Sequence, residues 1–195
     1  MKTLLKVVLV VFIVSQYQTQ LKAQHESAPI LFIYDASGSM WGQMDGKTKK
    51  EIAAEVLTTT VTNLSDHQQV GIMAYGHRKK GDCDDVEFLV NLNNTSKNNV
   101  IEAVNGINPL GRTPLARSAT LAINTLRETQ SKATIILITD GLENCEGNPC
   151  DAVIELKKKR VTINPYIIGL DIESDLIKDF ECIGTFVNAK DKATF

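Results

Sequence analysis

The sequence has little of what membrane spans, nucleic-acid binders and many enzymes are built from. Its apolar run Val7 to Val14 is far short of the ~20 residues that cross a bilayer. It has three histidines (His25, His67 and His77), and their positions give no Ser-His-Asp or Cys-His arrangement. Four cysteines (Cys83, Cys145, Cys150 and Cys182) include one close pair and no neighbouring His cluster, so a zinc site has little support. Internal repeats, low-complexity tracts and linkers are absent as well. There is no excess of positive charge, with 21 basic against 23 acidic side chains.

What is present begins with a leader pattern. Residues 1–23 read as a secretory signal: Lys2 and Lys6, then the apolar run, then polar "SQYQTQLKA" ending in the small residue Ala23. An uncleaved anchor or a buried strand fits that length and those flanks less well. No cysteine stands at the expected cut to take a lipid. Without residues 1–23 the chain keeps 18 of its 21 basic and all 23 acidic side chains, a net charge of −5. That disfavours nucleic acid and anionic membranes as partners, and no stable membrane insertion is expected after cleavage. A secreted, periplasmic or cell-surface protein follows. Export permits disulfides. Cys145 and Cys150 bracket "CEGNPC" and are the first choice for a pair, and the pairing of Cys83 and Cys182 is not legible.

Past the leader, strand and helix patterns alternate. "ILFIY" (Ile30–Tyr34) reads as a buried strand. A helical stripe at Ile52, Ala53, Val56, Leu57, Val61 and Leu64 marks a helix over 49–64. Strands over 69–76 and 86–92 flank the charged tip "HRKKGDCDD" as an antiparallel hairpin. Helices follow near 98–104 and 114–127, then the most continuous strand, "ATIILIT" (Ala133–Thr139). A helix over 151–159, a strand over 161–170 with Pro165 suggesting a bulge or late start, a helix over 174–182 and a strand "TFVNA" complete the pattern. The alternation predicts one α/β domain over 24–195, a mostly parallel sheet with helices on both faces. In such sheets sites form beyond the carboxyl ends of strands.

Beyond two of those ends stand oxygen donors only. The first strand runs into "DASGS", offering Asp35, Ser37 and Ser39, which face one way if the stretch stays extended. The strand 133–139 runs into Asp140, and "GRTPL" offers Thr113. Oxygen donors without His or Cys favour a hard cation, Mg²⁺ before Mn²⁺ or Ca²⁺. Two carboxylates balance a divalent charge, and neutral hydroxyls leave the ion short of electrons and open to an incoming anion. A carboxylate from another protein is the natural one. The competing reading gives Thr113 to a helix cap and the serines to turns.

The pattern DxSxS, then Thr113 in a later loop, then Asp140 after the fourth strand, resembles the metal-ion-dependent adhesion site of von Willebrand factor type A domains. "DASGSMWGQMDGKTK" and "GRTPLARS" look like bacterial secreted members. The resemblance implies a Rossmann-like six-stranded sheet of order 3-2-1-4-5-6 with the third strand antiparallel. It implies direct metal contact by Ser37, Ser39 and Thr113, with Asp35 and Asp140 acting largely through water. Such domains usually finish with a helix after the last strand, and the sequence ends at "AKDKATF", where that helix would start.

Other features have two readings. "GQMDGKT" (Gly42–Thr48) lacks the first glycine of a phosphate loop, since position 41 is Trp. It reads as a turn and the solvated start of the first helix. Met40 and Trp41 either rim the site or pack beneath that helix. The tip Arg78–Asp85 is a solvated hairpin or a flank of the metal face. Glu143 and Glu146 either add negative potential there or lie in an exposed loop. The histidines read as surface residues. "NNTS" (Asn93–Ser96) holds two glycosylation sequons, relevant in a eukaryotic source. The function expected is a non-enzymatic protein-binding module using Mg²⁺. Its rivals are a metal-independent assembly subunit of an envelope complex and a metal-dependent hydrolase.

Overall fold

A computed structural model describes residues 27–128, 133–158 and 163–190. The expected leader and the chain end at 191–195 lie outside the described residues. Six strands form one sheet: β1 (Ile30–Asp35), β2 (Val70–Tyr75), β3 (Val86–Val90), β4 (Ala133–Thr139), β5 (Ile163–Leu170) and β6 (Thr185–Ala189). Their order is β3-β2-β1-β4-β5-β6. Only the β2–β3 pair is antiparallel. This is the Rossmann-like type A architecture expected from the sequence.

β1 shows why both sheet faces are covered. Successive side chains on a strand point to opposite faces, and here Phe32 and Tyr34 enter one core while Leu31 and Ile33 enter the other. The first core is closed by helices α1 (Lys49–Asn63) and α2 (Lys97–Gly106), through Ile52, Leu57 and Val61 of α1 and Val100 and Val104 of α2. The second is closed by α3 (Leu115–Glu128) and α4 (Pro149–Lys158), through Leu115, Leu126 and Val153. α1 starts where its sequence says it should. Thr48 Oγ1 accepts from the Glu51 N–H, and the Glu51 carboxylate accepts from the Thr48 N–H, a reciprocal capping box. Before it, Gln43–Met44 and Lys47–Thr48 form a two-residue ribbon. Its turn places Asp45 and Gly46 at φ 51° and 74°, as a tight hairpin requires. "GQMDGKT" is therefore a turn and a helix start.

Several expectations need correction. The stretch from Asp35 is extended only as far as Ser37, and a 3₁₀ turn occupies Gly38–Trp41. The segment read as a helix over 174–182 is also 3₁₀, Ser174–Phe180. Pro165 causes no bulge. It pairs in register with Ile135 of β4, and β6 joins the opposite edge only from Tyr166.

The cysteines pair as Cys83–Cys145 and Cys150–Cys182, with Cα separations of 5.7 and 5.4 Å, and not as Cys145–Cys150. α4 starts at Pro149, so Cys150 belongs to its first turn and meets the segment after Ser174–Phe180. Cys145 lies outside that helix and meets the β2–β3 tip.

Candidate metal centre

The strand order reverses at β1, and the site lies there, beyond the carboxyl ends of β1 and β4. The register Tyr34↔Ile138 sets Asp35 beside Thr139 and brings Asp140 just past it. Asp35 is fully buried. Its Oδ1 accepts from the Ser37 N–H at 2.7 Å, and its Oδ2 accepts from Thr139 Oγ1 at 2.6 Å. Ser39 Oγ donates to Asp140 Oδ1 at 2.7 Å. That uses its only proton, so Ser37 Oγ donates to Ser39 Oγ across 2.9 Å. One hydrogen-bonded chain thus runs from buried Ser37 through exposed Ser39 to the Asp140 carboxylate. The 3₁₀ turn, and not extended alternation, brings Ser39 into line.

The loop carrying Thr113 is held to the first loop by its backbone. Leu110 N–H donates to Ala36 O at 3.0 Å, and Gly38 N–H donates to Gly111 O at 3.1 Å. Gly76 O accepts from both Leu110 and Gly111 N–H, at 3.0 and 2.7 Å. Such approach requires glycine. Gly76 has φ +72°, and a Cβ there would stand 2.6 Å from Arg112 O. Thr113 itself is buried and its hydroxyl accepts from Asn144 Nδ2 at 3.4 Å, while its N–H donates to Asn144 Oδ1 at 2.7 Å. α3 begins two residues later, at Leu115, and the Glu143 carboxylate accepts from Ala116 N–H at its first turn. Glu143 is therefore a helix-start partner.

Two buried carboxylates with one lysine beside them set the electrostatics of the site. Burial pushes the Asp35 carboxyl above its ordinary range, and the Asp140 charge pushes the same way, against hydrogen bonds from Ser37 and Thr139. The Asp140 side chain is 1% exposed, and its Oδ2 is buried without a hydrogen-bond partner. Lys49 Nζ approaches that oxygen to 3.3 Å. The residues present thus fit a cation: a carboxylate oxygen without a hydrogen bond, a second buried carboxylate and the Ser37 and Ser39 hydroxyls, with the loop that carries Thr113 held alongside by its backbone. Among the described residues no three His, Cys, Asp or Glu side chains gather as a metal-holding group. Here two carboxylates are joined by hydroxyls instead.

Sequence reasoning missed Lys49, Thr139 and Asn144. A cation at the first position of a well-capped helix was a signal for Lys49. A hydroxyl ending an otherwise apolar strand was one for Thr139. Asn144 carried none. Met40 and Trp41 divide the two readings between them, with Met40 buried and Trp41 47% exposed. The Trp41 indole N–H donates to Pro109 O at 2.9 Å.

The β2–β3 tip is not freely solvated. Asp85 is 1% exposed and accepts from the Arg78 guanidinium at 2.6 Å and from the backbone of Arg78 and Lys79. His77 is half-buried, not a surface residue, and meets Glu87 at 2.9 Å. Cys83–Cys145 ties the tip to the loop after Asp140.

Fold and rim together define a type A domain. The family model for the von Willebrand factor type A domain matches residues 30–143, and the chain belongs to that family. Its similar proteins include the uncharacterized protein YwmC of Bacillus subtilis, 28% identical over 82% of this chain and 72% of the relative. The inter-alpha-trypsin inhibitor heavy chain H2 of Mesocricetus auratus is 25% identical, over 76% of this chain and 16% of the relative. Among solved structures, a von Willebrand factor type A protein from Catenulispora acidiphila superposes with a TM-score of 0.65 at 23% identity, over 86% of this chain and 40% of that one. Proximal thread matrix protein 1 of the mussel byssus, in a form with a zinc-occupied MIDAS motif, has a TM-score of 0.61 at 17% identity, over 86% and 44%. The chain spans under half the length of these two solved chains. Domains of this family are commonly protein-interaction modules. Among the described residues no helix is long and apolar enough to cross a membrane.

Proposed function

We infer that the chain is a secreted protein-binding module that recognises a partner's Glu or Asp at this rim with the help of a divalent cation, Mg²⁺ before Mn²⁺ or Ca²⁺. The carrying observation is Asp140 Oδ2, buried and without a hydrogen-bond partner. A buried polar atom without a hydrogen bond costs about 1–3 kcal/mol; the Lys49 ammonium at 3.3 Å offsets the charge without bonding the lone pairs, and a directly coordinated ion would satisfy them. Ser37, Ser39 and Thr113 would hold the ion through hydroxyl oxygens, with Asp35 and Asp140 balancing its charge. A bound divalent ion supplies a Lewis-acidic position that an incoming carboxylate oxygen can complete. The three hydroxyls add donor oxygens without adding negative charge, so the rim does not repel an acidic partner.

The reading is non-enzymatic. Asp35 accepts through both carboxylate oxygens from Ser37 and Thr139, a structural arrangement, and His77 faces Glu87 at the β2–β3 tip. Two disulfides suit an oxidising compartment and support export, with residues 1–23 as the leader.

Melting with and without divalent ion tests the metal. Mg²⁺ or Mn²⁺ at 100 times its Kd adds about 2.7 kcal/mol, a rise in Tm of roughly 5–11 °C, reversed by EDTA and lost in Asp140→Asn. A melt indifferent to ion in the parent chain removes the metal from the reading. Affinity capture from the native source, with and without chelator, tests the partner. A partner retained in EDTA favours a constitutive assembly subunit. Turnover of generic phosphate esters abolished by Asp140→Asn favours a hydrolase.

A further inference from the structure

Lys49 is an unexpected neighbour for Asp140. It is the first residue of α1, where the helix's partial positive charge disfavours a cation. The helix start is already served by Thr48 and Glu51, so Lys49 contributes nothing to capping. Its side chain is only 15% exposed, and buried lysines need a partner. The stem passes close to Gly42. Lys49 N–H donates to Gly42 O at 2.8 Å. A Cβ on Gly42 would touch Lys49 Cε and Cδ at 3.6 and 3.7 Å.

The flanking lysines are otherwise engaged. Lys50 Nζ lies 5.7 Å from the Trp41 ring centroid, and Lys47 pairs with Glu55. Lys49 alone of the three meets the rim. Its ammonium is within ion-pair reach of Asp140 Oδ2, yet that oxygen has no hydrogen bond. Charge is compensated and the lone pairs are not. The ion pair leaves those lone pairs open to a second cation.

We propose that Lys49 is a built-in counter-cation, resting on Asp140 when the site is empty of metal and displaced when a divalent ion binds. The proposal rests on the divalent-ion reading above. Two cations compete for one carboxylate oxygen and repel each other, so Lys49 weakens ion binding while stabilising the metal-free rim. It sets the ion concentration at which the site fills.

The test is calorimetric titration of the full chain with Mn²⁺ and Mg²⁺, paired with melts in EDTA. Lys49→Gln is expected to bind Mn²⁺ roughly tenfold tighter and to melt lower in EDTA. That loss should vanish in an Asp140→Asn background, where the ammonium has no charge to neutralise. Lys49→Arg keeps the cation and should stay within about threefold of the parent. Equal or weaker ion binding by a folded Lys49→Gln overturns the counter-cation while leaving the metal site standing. If neither parent nor variant takes up an ion at millimolar concentration, both the metal reading and the displacement fall.

Discussion

Thr139 Oγ1 donates to Asp35 Oδ2 across 2.6 Å and so joins the carboxyl ends of β1 and β4 through their side chains. A hydroxyl has one proton and two lone pairs. The proton goes to Asp35, and the lone pairs face Tyr75 Oη at 3.2 Å and the Gly141 N–H at 3.3 Å. Thr139→Val keeps the shape and removes all three contacts. It should cost about 1–3 kcal/mol in chemical denaturation, with the fold retained by circular dichroism. A change within about 0.5 kcal/mol would mean that Asp35 does not depend on this hydroxyl.

Asn144 faces Thr113 with both side-chain amide atoms, and its backbone carbonyl accepts from Arg112 Nη1 at 3.0 Å. Asn144→Ala should lose the ion-dependent rise in Tm while lowering metal-free stability by about 1 kcal/mol. An unchanged ion response would show that the Thr113 loop is positioned by Gly76 and Gly111 alone.

Non-reducing peptide mapping should recover Cys83 with Cys145 and Cys150 with Cys182. Their sequence separations are 62 and 32 residues, so loop-closure entropy gives each roughly 3.5–4.5 kcal/mol of stabilisation. Cys83→Ser with Cys145→Ser should therefore lower stability by up to about 4 kcal/mol. A Cys145–Cys150 peptide would contradict the path of the chain into α4.

Burial pushes the Asp85 carboxyl up, but hydrogen bonds from Arg78 and from the backbone of Arg78 and Lys79 outweigh it and hold it below the usual carboxylate range. A folded-state pKa below the unfolded one stabilises fully above the unfolded value, about 3.9. That contribution is lost as pH falls through the folded value. The parent chain should therefore lose Tm steadily from about pH 5 downward. Asp85→Asn should be less stable at pH 7 by about 2 kcal/mol, with a shallower acid limb. Parallel limbs would remove Asp85 from the acid response.

The fold was readable where one residue pattern dominates. The continuous apolar run 133–139 and the stripe through Ile52, Leu57 and Val61 each admit one element, and the structure has them. The expectation for the five rim residues came from local chemistry just past a strand or in a loop, and the structure brings Asp35, Ser37, Ser39 and Asp140 into one hydrogen-bonded group. What stayed hidden depends on distant segments meeting. Disulfide partners 62 residues apart leave no local mark. Asp85 looks like part of a charged tip until three donors surround it. Lys49 looks like a solvated helix start until Gly42 gives its stem a surface to lie on.

The chain has a single tryptophan, Trp41. It sits two residues from Ser39, with its N–H on Pro109 O and Lys50 at its face. The molecule thus carries its own optical gauge at the lip of the rim. Excited past the tyrosine band, its indole emission comes from this one residue, with no other tryptophan to dilute the signal, and repositioning of the Ser37–Ser39 turn or the Pro109 loop is written into its colour and brightness.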